Sequence, residues 1–433
     1  MKVYKLLLVF FFLCSLQLNA QYNRDKSFVT IQIQPDKADW VYRVGEEVKL
    51  NVSVIKDNFS LAKQKLTYSW GQEMKTLKED AELNTDNGVK QIKLKGLNKP
   101  GFMTFKASVI VDAKTYENYI TVGFEPEKIV ATTKLPSDFQ DFWTTALSDA
   151  RKVPLAPMMT LMPELCTSDA DVYHVRFQNN ATGSFIYGML SKPKKAGRYP
   201  ALLRVPGAGV RAYTGYKGFF PAKNVITLEI GIHGIPVNLP AELYTSLGSN
   251  ALYSYNRYNI DNRNNYYYKK VYTGCVKAVD FLCSLPDVDS TRLAVAGGSQ
   301  GGALSIVTAS LDKRIKCLVA YYPACSEMVG YANGEVGGWP HLFKDANDQN
   351  NVAEKVKVLA YFDVVNFARF VTAPGLYSWG FNDRVCPPTS TYCAYNVIVA
   401  PKKLLLYKES GHWTFPEQNV NEQNWILSNF GLE

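Results

Sequence analysis

Between Ser27 and Gly123 apolar and polar residues alternate in short runs: "SFVTIQIQ", "EVKLNVSVI", "KLTYSW", "VKQIKLKGL", "GFMTFKASVIV" and "NYITVGF". The period is that of half-buried strands, and the breaks fall at Asn, Asp, Lys and Gly, as turns require. This pattern predicts a small all-β sandwich of immunoglobulin-like type over residues 21–125. After the linker "EPEKIVATTKLP" the pattern changes. "PSDFQDFWTTALSDARKVP" has a helical period, with Ser137 or Asp138 to cap it and Pro154 to stop it. Apolar strand-like runs then alternate with helical ones. "YPALLRVPG", "NVITLEIGI", "TRLAVAGG", "IKCLVAYYP", "APGLYSWG" and "KKLLLYKES" read as strands. "NNYYYKKVYTGCVKAVDFLCSLP", "QGGALSIVTASL", "PPTSTYCAYNVIVA" and "EQNVNEQNWILSNF" read as helices. Such alternation predicts an α/β unit over residues 135–433, a mostly parallel sheet covered on both faces. The β-rich region offers no cluster of acids and histidines, and the linker near Lys128 to Thr133 reads as separable. The expectation is an appendage without a catalytic part.

The first residues, "MKVYKLLLVFFFLCSLQLNAQ", break both patterns. Lys2 and Lys5 precede an apolar run from Leu6 to Leu18 that is too short to span a bilayer, and Asn19-Ala20 offers a small-residue cleavage site. Residues 1–20 are therefore expected to be a signal peptide, and the mature protein to be periplasmic or secreted. No later run is long enough for a membrane span. Loss of Lys2 and Lys5 lowers the formal charge from +9 to +7. The basic residues are scattered rather than gathered in a stripe, which argues against nucleic acid as a partner. Of eight cysteines, Cys14 lies in the leader, which leaves an odd number. Cys275 and Cys283 sit about 12 Å apart on one predicted helix, too far to pair. There is no CxxC pair, so neither a disulfide framework nor a zinc module is expected. No metal or cofactor is implied.

Gly297-Gly298-Ser299-Gln300-Gly301 has the spacing Gly-x-Ser-x-Gly between an apolar strand and a helix. Glycines at both ends let the chain turn sharply, which strains the serine and exposes its hydroxyl. The helix opening at Gln300 aims free backbone N–H groups at the same spot, where they can hold an oxyanion. A serine nucleophile needs a base, and the base an orienting acid. Of the histidines His174, His233, His341 and His412, the first two precede the serine, against the order serine, acid, histidine of α/β-hydrolases. His341 follows the serine too soon, with few acids between. His412, in the loop after the last predicted strand, is favoured. Asp383, after the strand "APGLYSWG", is the expected acid. Asp363 competes, but its apolar segment suits a salt-bridge or capping role, and Glu409 is too near His412. The second oxyanion donor is expected at the Ala208 N–H, between Gly207 and Gly209. The segments "GYKGFF", "YSYNRYNIDNRNNYYY" and "GEVGGWPHLF" are rich in Tyr, Asn and Trp and suit the alcohol side of a sugar ester. About half of the tyrosines are expected to pack a helix onto the sheet instead.

The stretches "NNYYYKKVYTGCVKAVDFLCSLPDVDSTRLAVAGGSQGGALS", "YFDVVNFARFVTAPGLYSWGFNDRVCPP" and "PSDFQDFW" resemble the acetyl xylan esterase and cephalosporin-C deacetylase family of carbohydrate esterases. The resemblance runs from about Leu135 to the C-terminus. It implies an α/β-hydrolase fold, with Ser299 as nucleophile, Asp383 as acid, His412 as base and the Gln300 N–H as an oxyanion donor. The chain departs from the family at Ala208, where a tyrosine is usual, at "IHGIP" (232–236) in place of Arg-Gly-Gln, and at Trp413, where glutamate is common. The resemblance is to members that lack the β-rich region, and it implies a hexamer. The added strands would crowd assembly surfaces, so a monomer or dimer is expected here, with the hexamer as the family alternative. The function expected is an exported serine esterase that deacetylates carbohydrates through an acetyl-enzyme. A prolyl-oligopeptidase-like peptidase and a glycan-binding protein on a hydrolase scaffold stand as alternatives.

Overall fold

A computed structural model describes residues 28–433, apart from 76, 86–87, 216–217 and 346–348. The expected signal peptide lies outside the described residues. Among the described residues up to Phe124 the regular elements are all strands: β1 (Val29–Pro35), β2 (Val41–Tyr42), β3 (Val48–Lys56), β4 (Phe59–Ser60), β5 (Lys65–Gln72), β6 (Lys78–Asn84), β7 (Val89–Leu94), β8 (Gly101–Val111) and β9 (Lys114–Phe124). One sheet runs β1-β3-β4 with β7 on β3, and the other runs β2-β9-β8-β5-β6. Alternation decides which side chains face inward. Val29 and Ile31 of β1 are buried, while Thr30, Gln32 and Gln34 face outward. The inward set closes a core of its own with Leu50, Val52, Leu66, Phe105 and Val122.

The second part is built on a nine-stranded sheet of order β10-β11-β12-β14-β13-β15-β16-β17-β18. Its strands are β10 (Met158–Leu161), β11 (Ala170–Gln178), β12 (Phe185–Pro193), β13 (Tyr199–Arg204), β14 (Ile226–Gly231), β15 (Val288–Gly298), β16 (Ile315–Tyr321), β17 (Gly375–Trp379) and β18 (Lys402–Leu406). Pairing is antiparallel from β10 to β14 and parallel from β14 through β18. Strands buried on both faces lose their alternation, and every residue of β17 is buried. Helices α1 (Phe139–Lys152), α2 (Phe219–Ala222), α3 (Ala241–Ser249), α4 (Tyr267–Ser284), α5 (Gln300–Leu311), α6 (Val352–Leu359), α7 (Val364–Ala368), α8 (Pro388–Asn396) and α9 (Pro416–Phe430) connect the strands.

Two sequence expectations fail here. Asp138 stands before α1 but makes no side-chain cap bond. Its carboxylate takes the Arg263 guanidinium at 2.9 Å and the Tyr361 hydroxyl instead. The linker does not stand free but is hydrogen-bonded to the α/β unit. Glu327 accepts the backbone N–H of Thr132 at 2.7 Å and the Thr133 hydroxyl at 3.0 Å. Thr133 Oγ1 also lies 3.1 Å from Asp363 Oδ2. A hydroxyl has one proton, so the Thr133 side chain is shared between these two carboxyls. Burial and the Glu327 charge push the Asp363 carboxyl up to about 7, against the three backbone N–H groups of Glu327, Met328 and Val365 that it accepts. Local patterning could not reveal this clasp, because its partners lie about 200 residues apart in sequence.

The tyrosine-rich segment is mostly core. Tyr266, Tyr267, Tyr268 and Tyr272 are buried, as is Tyr255, whereas Tyr253 and Tyr258 stay exposed. All seven described cysteines are free.

Candidate active site

The expected turn forms at the junction of β15 and α5. Ser299 has φ 60° and ψ −125°, a conformation an L-residue adopts only under strain. The neighbouring glycines are required by space. A Cβ on Gly297 would lie 2.7 Å from Val205 O, and one on Gly301 would lie 2.5 Å from the same atom. The elbow can therefore press against the end of β13 only without side chains. The Ser299 N–H donates to Tyr321 O at 3.0 Å, which ties the elbow to β16.

Ser299 Oγ is 2.9 Å from His412 Nε2, and His412 Nδ1 is 2.7 Å from Asp383 Oδ2. Asp383 is 1% exposed. Its other oxygen accepts the N–H groups of Val385 and Cys386, each at 2.8 Å. Two backbone donors thus hold the carboxylate and leave Oδ2 for the imidazole. Nδ1 then carries the proton, and Nε2 is free to accept one from the serine. The imidazole packs on Tyr322, ring centres 4.6 Å apart, and the Tyr322 hydroxyl meets Thr414 Oγ1 at 2.5 Å.

Gln300 and Ala208 lie on facing segments. Gln300 opens α5, and Ala208 sits in the loop after β13. The buried Gln300 side chain joins them. Its Nε2 donates to Pro206 O at 3.3 Å and Gly207 O at 3.4 Å, while its Oε1 accepts the hydroxyls of Tyr255 and Tyr268 at 2.7 Å each. The Ala208 carbonyl takes the Arg211 guanidinium. His233 braces the same loop, with Nε2 at 3.1 Å from Gly209 O and Nδ1 at 2.8 Å from Tyr267 Oη. Burial depresses the His233 imidazole to about 4, which keeps it neutral.

The remaining candidates separate cleanly. Asp363 caps α7, accepting the Val365 N–H at 3.0 Å, as its segment suggested. His341 meets the Tyr331 hydroxyl at 3.4 Å rather than the serine. His174 stacks on Tyr187. Sequence reasoning missed Tyr322, Tyr255, Tyr268 and the Gln300 amide, since each acts through a distant partner. Among the described residues no group of His, Cys, Asp and Glu could hold a metal ion. No helix there is long and apolar enough to cross a membrane.

Comparison with known proteins agrees with this architecture. The acetyl xylan esterase (AXE1) family profile matches residues 127–429. Acetyl esterase Axe7A of Xylanibacter ruminicola is 40% identical over 416 residues, covering 94% of this chain and 92% of its own. That match therefore runs through the β-rich region. An acetyl xylan esterase from Paenibacillus sp. R4 superposes with TM-score 0.60 at 26% identity, over 70% of this chain and 98% of its own. Acetyl xylan esterase 1 from Thermoanaerobacterium sp. JW/SL YS485 gives TM-score 0.62 at 23% identity, over 71% and 98%. These two structures share the α/β-hydrolase fold. The chain belongs to the acetyl xylan esterase family and is an esterase hydrolase.

Proposed function

We propose that this protein removes acetyl groups from acetylated carbohydrate, of the xylan-derived oligosaccharide type, with Ser299, His412 and Asp383 as a catalytic triad. The observation that carries the reading is the unbroken relay from Ser299 Oγ through His412 to Asp383, with contacts of 2.9 and 2.7 Å. Ser299 Oγ forms a bond to the acetyl carbon while its proton passes to His412 Nε2. The backbone N–H groups of Gln300 and Ala208 take the charge on the tetrahedral oxygen. The C–O bond to the sugar breaks, and the imidazolium returns its proton to the departing hydroxyl. Water, activated by the same imidazole, then releases acetate from the acetyl-serine. Asp383 holds the imidazole tautomer and stabilises its charged form. The exposed Trp413 ring beside His412 offers a face for the sugar.

In this reading residues 1–20 direct export to the periplasm or beyond. Residues 21–125 form an immunoglobulin-like sandwich ahead of a hydrolase domain at 135–433, and the protein works as a monomer or dimer without metal or cofactor. The test is kcat/KM for acetyl, propionyl, butyryl and octanoyl esters of one leaving group. Acetyl should be the best substrate. A pocket lined for longer chains would gain about 0.8 kcal/mol per covered methylene, so a maximum at butyryl or beyond would remove the protein from the deacetylases.

A further inference from the structure

The loop that carries Asp383 is gripped from outside the hydrolase fold. Phe381 packs edge-on against Phe102 of β8, ring centres 4.9 Å apart. The Asn382 side-chain oxygen accepts the backbone N–H of Thr121 in β9 at 2.8 Å, and the Asn382 carbonyl accepts the Tyr119 hydroxyl at 3.1 Å. The Arg384 guanidinium lies over the Tyr119 ring, 5.5 Å from its centre. At the far end of the loop, buried Glu73 accepts the backbone N–H of Thr389 in the first turn of α8, at 2.9 Å. Both flanks of Asp383 are thus bonded to the β-rich region.

Asn382 also reaches the other catalytic loop. Its N–H donates to Ser410 O at 3.2 Å, and its Nδ2 donates to Glu409 O at 3.3 Å. Phe381 N–H donates to Lys408 O at 3.1 Å. The loops come this close because Gly380 has no side chain: a Cβ there would lie 2.0 Å from Ser410 O. The acid loop and the loop leading to His412 therefore form one stitched pair, and Asn382 ties that pair to β9.

We propose that the β-rich region is part of the catalytic apparatus, and that Asn382 is the positioning residue through which it holds Asp383 and His412 in register over Ser299. This rests on the triad reading above. It replaces the expectation of an appendage with no catalytic part. A backbone N–H in β9 and a tyrosine hydroxyl use their hydrogen-bonding capacity on the residue next to the catalytic acid, at a part-buried seam where neither would readily find another partner. Small displacements of a catalytic group are costly: about 1 Å can reduce the rate by up to roughly 100-fold.

The experiment uses the full chain with Asn382→Ala, Tyr119→Phe, Lys99→Ala and Ser299→Ala. Each variant is measured for kcat and KM on a chromogenic acetyl ester, for thermal unfolding, and for the low-field proton resonance of His412 Nδ1. Lys99→Ala removes another link between the two parts, the 2.5 Å ion pair to Glu335, without touching the acid loop. Asn382→Ala should lower kcat roughly tenfold with little change in KM, and weaken or shift the low-field proton. Tyr119→Phe should lower kcat by about threefold. Lys99→Ala should keep the kcat of the parent protein even where its melting temperature falls. Parent-like kcat in both Asn382→Ala and Tyr119→Phe would overturn the proposal, as would an equal loss in Lys99→Ala. If Asn382→Ala does not fold, Tyr119→Phe decides. Retained activity in Ser299→Ala would instead sink the triad reading beneath it. An inactive Ser299→Ala beside fully active Asn382→Ala and Tyr119→Phe would sink this proposal alone.

Discussion

Replacing Gln300 with methionine keeps the shape of the side chain and removes its polarity. The amide has four partners, and all its hydrogen-bonding capacity is used: two tyrosine hydroxyls on the oxygen and two carbonyls on the nitrogen. Tyr268 is 1% exposed and Tyr255 5% exposed, so water cannot readily replace the lost acceptor. Each hydroxyl left unpaired costs about 1–3 kcal/mol, so Gln300→Met should lower stability by roughly 2–6 kcal/mol. The carbonyls of Pro206 and Gly207 lose their donor at the same time, which frees the loop that carries Ala208. If the Ala208 N–H drifts from the oxyanion, kcat should fall by about 100- to 1,000-fold, the usual loss for one such donor. Gln300→Glu separates the two effects. A carboxyl oxygen can still accept from both tyrosines, but the group cannot donate to both loop carbonyls. It should recover part of the stability while keeping most of the loss in kcat. Urea unfolding and steady-state kinetics on a small acetyl ester are sufficient. A Gln300→Met enzyme within about threefold of the parent kcat would refute the argument that this amide holds the oxyanion loop.

Asp383→Asn and His412→Ala should each cost several orders of magnitude in kcat, and the double variant little more, because a triad acts as a unit; additive losses on a logarithmic scale would speak against one. The raised Asp363 carboxyl gives a pH prediction. Its folded value lies near 7 and its unfolded value near 4, so the stability it contributes is full at low pH and is lost as pH rises through that window. The stability gap between the parent and Asp363→Asn should therefore narrow from about pH 4 to about pH 8, and a gap constant across urea titrations at these pH values would contradict the raised Asp363 carboxyl. Light scattering should give a monomer or dimer, and a hexameric mass would contradict the expectation that the β-rich region crowds assembly.

What could be read from the sequence follows the range of the physics involved. The elbow at Ser299 was legible because its cause is local: a strand, glycines at fixed offsets and a helix lie within a few residues of one another. Asp383 and His412 were legible by elimination, since few histidines follow the serine and one aspartate follows a strand end. The structure brings these three into hydrogen-bonding distance. The Thr133–Asp363–Glu327 clasp and the Asn382 contacts were not legible. The bonds of Thr133 to Glu327 and Asp363, and of Asn382 to β9, join residues more than 190 positions apart, through hydroxyls, amides and main-chain groups that leave no periodic trace. The tyrosines after Asn264 misled in part, because composition cannot tell a ring stacked on sugar from a ring buried beneath a helix. Tyr266, Tyr267 and Tyr268 are of the second kind. The same limit made the linker look separable, since its tethers lie in the partner segment rather than in its own sequence.

The central claim is that Ser299 carries the acetyl group between two half-reactions. Acid quenching during turnover of an activated acetyl ester, followed by peptide mass spectrometry, tests it directly. The account predicts a transient acetyl adduct on the peptide containing Ser299, formed in a burst and lost on hydrolysis, and absent from an inactive Ser299→Ala variant. An adduct on another residue, or continued acetate release by Ser299→Ala, would contradict it.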